Sequence, residues 1–312
     1  MSVNTSESVI HDLGYKSYDG PRIGRAGIIR ALAWSSFRSA FGFGRSFKAK
    51  IVPFLILIVL CLPAIINAVS VSEGQPRILT YDTYRPDLRT FAMLVFVAIQ
   101  APELVSRDLR SRVLPLYFSR PLKPVDYPAA KYIAFTGALL VMMWVPLFAL
   151  YLGTVASEHG VHQIWHETSQ LFPGLLVGIM WAVVLAAVSL FLASLSGRRA
   201  FATGAVAIFL FLSWILANII VTAETRPVPV RCGPNGCITL GPPPTIPIGA
   251  KIGGLFSPFT LMDGVRRWLG GLTPDVVPKP GSFGVVYVIV LIALVAGCLY
   301  GLVARYRKAA LQ

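Results

Sequence analysis

Pro102 to Lys131 reads PELVSRDLRSRVLPLYFSRPLKPVDYPAAK, a charged, proline-punctuated stretch set between two long apolar runs. Glu103 with Arg107, and Asp108 with Arg112, are acid-then-base pairs at i,i+4, the orientation that supports a helix by a few tenths of a kcal/mol each. Leu109, Val113, Leu116 and Tyr117 recur at helical spacing and share one face. Pro115 opposes a straight helix beyond that point, and Pro121 and Pro124 make a stiff exit. Asp126, ahead of Tyr127 and Pro128, reads as the N-cap of the next helix. Two readings stand side by side: a solvated loop held by positive charge, or a docking surface for a soluble partner.

Outward from this stretch the chain turns apolar. Of 312 residues, 55% are hydrophobic and 13% charged, a balance far from that of ordinary soluble domains. Six runs are candidate spans: Ile51–Val71, Phe91–Val105, Tyr132–Leu152, Leu171–Leu195, Ala200–Val221 and Phe283–Ala304. Five approach or exceed the ~20 residues that cross a ~30 Å hydrocarbon core. The second is short, so its helix is expected to continue into the flanking polar sequence. The fold class read from this pattern is all-α, a polytopic six-helix membrane protein.

The formal charge of +14 is concentrated in particular loops, which argues for membrane orientation and against nucleic acid as partner. Eight Lys/Arg lie in residues 1–50, six in 103–131, two at Arg198 and Arg199, and three at Arg305, Arg307 and Lys308, which puts 19 of the 28 on one side. The positive-inside rule then places both termini in the cytoplasm. Residues 1–50 form a cytoplasmic region, 51–304 the membrane domain and 305–312 a cytoplasmic tail. The loop 103–131 faces the cytoplasm, and the long 223–282 segment faces outward. The first fifty residues lack an early apolar core, so insertion is expected to use the first span. Within Gly24–Lys50, Ile29, Leu32, Phe37, Ala40 and Phe41 favour one side, and Arg30, Trp34 and Arg38 another. This is the pattern of a basic amphipathic helix at the lipid interface.

In the outer segment, Cys232 and Cys237 bracket a Pro-Asn-Gly turn in RCGPNGC. On an oxidising side they close a small disulfide loop or remain thiols. Cys61 and Cys298 fall inside spans and read as packing residues. Leu255–Leu269 (LFSPFTLMDGVRRWL) is apolar with a charged patch and too short to span, which fits an external or re-entrant helix.

Chemistry is sparse. The six runs contain no Asp, Lys, Arg or His, which argues against an ion-coupled secondary transporter. Asn67, Gln100 and Asn218 are the polar candidates for a pathway, with interhelical hydrogen bonds the plainer role. No Gly-Lys pair occurs, so no phosphate-cradling P-loop exists in the chain, and neither H-E-x-x-H nor G-x-S-x-G is present. His159, His162 and His166 cluster with Glu158 and Glu167 in the short outer loop before the fourth span. They are weak as a metal site, and no catalytic, cofactor or metal residues are assigned.

The run Glu103-x3-Arg107-Asp108-x-Arg110-Ser111-x2-Leu114-Pro115-Leu116-x2-Ser119-Arg120-Pro121-Leu122, followed by Asp126-Tyr127 and Lys131, resembles the permeases of type-2 ABC transporters. Arg112-Val113 stands where that family usually has Gly-Thr. Leu255-Phe256-Ser257-Pro258-Phe259-Thr260, with Asp263-Gly264-Val265-Arg266, is similar to the family's L-S-P-x-T motif before the last span. The polar tail, Asp12–Tyr15 and Tyr18–Arg22, looks like tails of bacterial members. The resemblance implies a permease subunit of the bacterial plasma (inner) membrane, an exporter that is not itself an enzyme. A second permease chain, the same or different, would pair with it, and a separate ATP-binding subunit carrying ATP and Mg would drive it. It further implies a coupling helix within Val105–Ser119. Glu103, Arg107, Asp108, Arg110 and Arg112 would supply its polar contacts, and Leu114, Leu116 and Tyr117 an apolar anchor. The rival readings are a non-transporting membrane scaffold or enzyme, and a secondary transporter.

Overall fold

A computed structural model describes residues 24–73, 86–110, 123–157, 160–224, 230–233, 236–239, 247–269 and 281–310. In these residues the chain is helical apart from one short hairpin. The helices are α1 (Arg25–Ala40), α2 (Phe47–Ser72), α3 (Pro86–Arg110), α4 (Asp126–Ser157), α5 (Val161–Ser194), α6 (Arg199–Glu224), α7 (Ile248–Gly253), α8 (Pro258–Trp268) and α9 (Gly284–Ala310). Strands β1 (Val230–Gly233) and β2 (Gly236–Thr239) form an antiparallel pair between α6 and α7. Six helices are long and apolar enough to cross a membrane: α2, α3, α4, α5, α6 and α9.

Each of these six extends past its apolar run. The second, expected to borrow polar sequence, is a 25-residue helix, about 37 Å at 1.5 Å per residue. It starts at Pro86, so Arg89 lies inside the helix and not in the preceding loop. Arg89 is the first residue of that span, so the six apolar runs themselves still hold no Asp, Lys, Arg or His. The histidine segment also differs from its reading as a loop: α5 begins at Val161, so His162 and His166 ride on its first turns, both exposed.

The amphipathic stretch divides into two helices. α1 ends at Ala40 in a Schellman turn: the Phe43 N–H donates to Arg38 O at 3.0 Å and the Gly42 N–H to Ser39 O at 3.0 Å. Gly42 takes φ +75°, and a Cβ there would lie 2.6 Å from Ala49 O. Only glycine fits both demands. Phe47–Lys50 consequently begin α2. Leu32, Ser36 and Ala40 of α1 are buried, and Arg30, Trp34 and Arg38 are exposed.

α3 is the central helix, with 78% of its apolar window buried against 17–28% for α2, α6 and α9. It packs on α5 and α6, while α4 packs on α1, α2 and α5. Phe96 and Phe135 stack at 6.2 Å between α3 and α4. Ala182, Ala186, Ala187 and Ala193 line buried positions of α5, where small side chains let helices approach without a polar cost. The outward faces of α2, α6 and α9 carry Ile58, Ile65, Phe201, Ile208, Ile289 and Ile292, all exposed.

Candidate functional site

The charged stretch leaves α3 at one end of the bundle. Pro102 cannot donate a backbone hydrogen bond, and its own carbonyl accepts from Ser106 Oγ at 2.5 Å. This reinforced helix presents two carboxylates. Glu103, whose side chain is 9% exposed, accepts Arg45 at 2.5 Å and Arg199 at 2.8 Å. Arg45 comes from the turn fixed by Gly42, and Arg199 opens α6. A nearly buried carboxylate is stabilised only when its charge is matched, and here two guanidiniums, one from the α1–α2 turn and one from α6, match it.

Asp108 performs the same service one and a half turns on. It accepts a short hydrogen bond from the Tyr127 hydroxyl and an ion pair from Lys131 Nζ at 2.9 Å. Lys131 also sits 5.4 Å over the Tyr127 ring, a geometry that adds cation–π attraction. Tyr127 packs on Tyr306 near the end of α9, centroids 5.3 Å apart, and both rings are fully buried.

Asp126 is the first helical residue of α4, one place inside the cap position expected from the sequence: Val125 O accepts from Ala129 N. Its carboxylate accepts from Lys123 N at 2.9 Å and from Arg25 Nε and Nη2 at 2.7 and 2.6 Å. This is the bidentate fork that arginine makes with a carboxylate. The hydrogen bond to Asp126 holds Arg25 above its ordinary value, so its charge persists through the physiological range. These contacts gather α1, the α1–α2 turn, α3, α4, α6 and α9 around the two ends of the segment 111–122.

Of the candidate coupling residues, Glu103 and Asp108 turn into this junction. Arg107 and Arg110 lie in the last turns of α3, whereas Arg112, Leu114, Leu116 and Tyr117 lie outside the described residues. Arg25, Arg45, Arg199 and Tyr306 were not singled out as site residues in the sequence. Their signal was present in the charge inventory: only 14 acids face 28 bases, so each acid beside a span end has several bases competing for it.

The second motif folds as α8. Ser257 caps it by accepting from Phe259 N at 3.3 Å, and Pro258 occupies the first helical position, the expected pairing of cap and proline. Thr260 Oγ1 donates to Gly254 O at 2.9 Å, tying the helix back to its entry turn. Pro258 through Met262, with Gly264, Val265 and Arg266, are buried. Arg266 pairs with Asp263 at 3.0 Å. Tyr287 of α9 seals this arrangement: its hydroxyl donates to Lys251 O at 2.6 Å, and its ring occupies the space that side chains at Gly254 and Gly264 would need.

The remaining candidates scatter. Asn67 and Gln100 are buried, and Asn218 donates to Trp214 O of its own helix at 2.7 Å, not to a neighbouring helix. Cys232 and Cys237 stand directly opposite each other in the β1–β2 register. Their side chains lie outside what the structure describes. Cys61 and Cys298 are free thiols. Among the described residues, no group of three or more His, Cys, Asp or Glu gathers as a metal site.

The fold defines a multi-pass membrane protein with six apolar helices. No protein-family model matches the chain, and no curated protein matches it either.

Proposed function

We propose that this chain is the permease subunit of a type-2 ABC transporter, an exporter of the bacterial inner membrane powered by a separate ATP-binding subunit. The observation that carries this reading is the ionic junction at the base of the 111–122 segment. Glu103, Asp108 and Asp126 bind Arg45, Arg199, Lys131 and Arg25, contributed by four places in the chain. A push on that segment therefore reaches α1, α3, α4, α6 and the α1–α2 turn through short, charge-assisted contacts, and α9 through the Tyr127–Tyr306 ring contact. A solvated connector has no need of such a base.

On this reading the junction end is cytoplasmic, as the distribution of Lys and Arg favours. α1 lies at the inner interface with Arg30, Trp34 and Arg38 outward. α8 dips in from the opposite side, where protein covers its backbone. Two such chains pair, and each docks one ATPase, with ATP and Mg held by that partner. Energy enters through the coupling helix, because the chain has no phosphate-binding loop of its own.

Detergent extraction of the tagged chain from its native membrane tests the proposal. The expected result is co-purification of a subunit with a P-loop and an ATPase activity that an alanine series across 107–117 uncouples. A lone homo-oligomer without ATPase would overturn it. So would retention of docking and coupling by every variant in the series.

A further inference from the structure

A narrow pocket lies among α2, α3, α4 and α5, away from the ionic junction. Arg89, Trp181, Leu60, Met142, Met143 and Leu147 line it. Three observations make it more than a packing defect. First, Arg89 stands fourteen residues before Glu103 in the same helix, about 21 Å away at 1.5 Å per residue. Arg89 is the first residue of the α3 span, which sets its guanidinium at headgroup level, where an arginine meets the charged oxygens of amphipaths. Second, the Arg89 guanidinium sits 4.8 Å over the Trp181 ring, which fixes the cation in place. Third, Trp181 is 3% exposed, and its indole N–H has no acceptor among the described residues. Indole nitrogen donates and never accepts, and a buried donor without a partner carries a standing penalty.

The chemistry that relieves this penalty is specific. The missing group must be an acceptor, and the guanidinium of Arg89, although it also faces the Asp263 carboxylate, favours a negative one over a neutral one. The rest of the lining is apolar and rich in methionine, which adapts to irregular hydrocarbon shapes. The enclosed part has room for about one water-sized group, so it takes a single oxygen of a headgroup and leaves the tail among the helices. We infer that Arg89 and Trp181 bind the anionic oxygen of an amphipathic ligand, a carboxylate or phosphate head on a single alkyl chain. This inference needs only the membrane fold, so its failure is distinguishable from failure of the ATPase partnership.

The test uses the full chain in a neutral maltoside detergent with dodecanoate, dodecyl phosphate and dodecanol as probes. Binding is read as a shift in thermal unfolding and a change in tryptophan fluorescence. Both anions, or one of them, should stabilise the protein, and dodecanol should not. The anion that acts identifies the source as a free fatty acid or a phosphate-bearing lipid. Trp181→Phe keeps the ring and deletes the N–H, and should weaken anion binding about tenfold. Arg89→Gln should weaken it at least as much. Val177→Phe, at another lining position, fills the pocket without touching either residue and should abolish binding, which decides the matter if the first two variants do not fold. Equal stabilisation by dodecanol would overturn the inference. So would no response to either anion, as expected of a single trapped water, or unchanged binding in Val177→Phe.

Discussion

The ionic junction and the α8 region sit at different levels of one bundle and are held by different physics. At the junction, carboxylates on α3 and α4 reach bases from α1, the α1–α2 turn, α4 and α6. Around α8, Asp263 pairs with Arg266 three residues on, with Arg89 of α3 also in its field. Position there is set by shape, with Tyr287 pressed against two glycines. Charge pairs act through several ångströms and re-form after small displacements. A ring fitted against a backbone tolerates almost none. The first arrangement suits a part that transmits motion, and the second a part that must stay closed.

The sharpest break in this comparison comes from Glu103→Ala. It leaves Arg45 and Arg199 facing each other beside a nearly buried site. Breaking a fully buried pair costs about 3–5 kcal/mol. Because the Arg199 side chain is 62% exposed, solvent offsets part of that, and we expect about 2 kcal/mol. Thermal unfolding in detergent measures it. Arg199→Ala, which removes only the exposed partner and leaves Arg45 in place, should cost under about 1 kcal/mol. Equal losses in the two variants would show that Glu103 does not act as the hub.

Gly264→Ala is the matching experiment on the other side. A Cβ at residue 264 would lie 2.3 Å from Tyr287 Cε1, a clash that the ring must move to relieve. Overpacking of this kind costs about 1–3 kcal/mol. If shape is the cause, Tyr287→Leu in the same chain should recover part of the loss. A double-mutant cycle then gives a coupling of about 1 kcal/mol. Additive losses would mean that the glycine serves some other purpose.

How far each region was legible follows from the same distinction. The spans were readable because hydropathy and length are local properties of a run, and all six appear. The Ser257-Pro258 start of α8 was readable because a cap and a first-turn proline are local too. The start of α4 near Asp126 was legible, but not the arginine 101 residues earlier that its carboxylate binds in place of a helix N–H. Glu103 shows the limit plainly. Its i+4 neighbour Arg107 suggested a helix-surface pair, whereas the partners seen are Arg45 and Arg199, brought close only by packing. The Gly42 turn was missed because amphipathic periodicity continues through it, and nothing short of backbone geometry separates α1 from α2. Arg89 was assigned to a loop because the apolar run begins two residues later, while the helix begins three residues earlier at Pro86.

Asp126→Asn carries the smallest expected effect and isolates the role of α1. Asparagine keeps an oxygen that can accept from Lys123 N, so the start of α4 survives. What is lost is the charge that draws both Arg25 nitrogens. Arg25 is well exposed, so the global unfolding transition should hardly move. The consequence is local: the first turn of α1 loses its tie to α4, and trypsin should cut after Arg25 faster than in the parent chain. Raising ionic strength should have the same effect on the parent, because exposed charge pairs are screened over about 8–10 Å near physiological salt. The variant should show little of that salt response. If trypsin cuts both chains alike at every salt concentration, α1 is held by Leu32, Ser36 and Ala40 alone. The junction then transmits through α3, α4, α6 and α9 without α1.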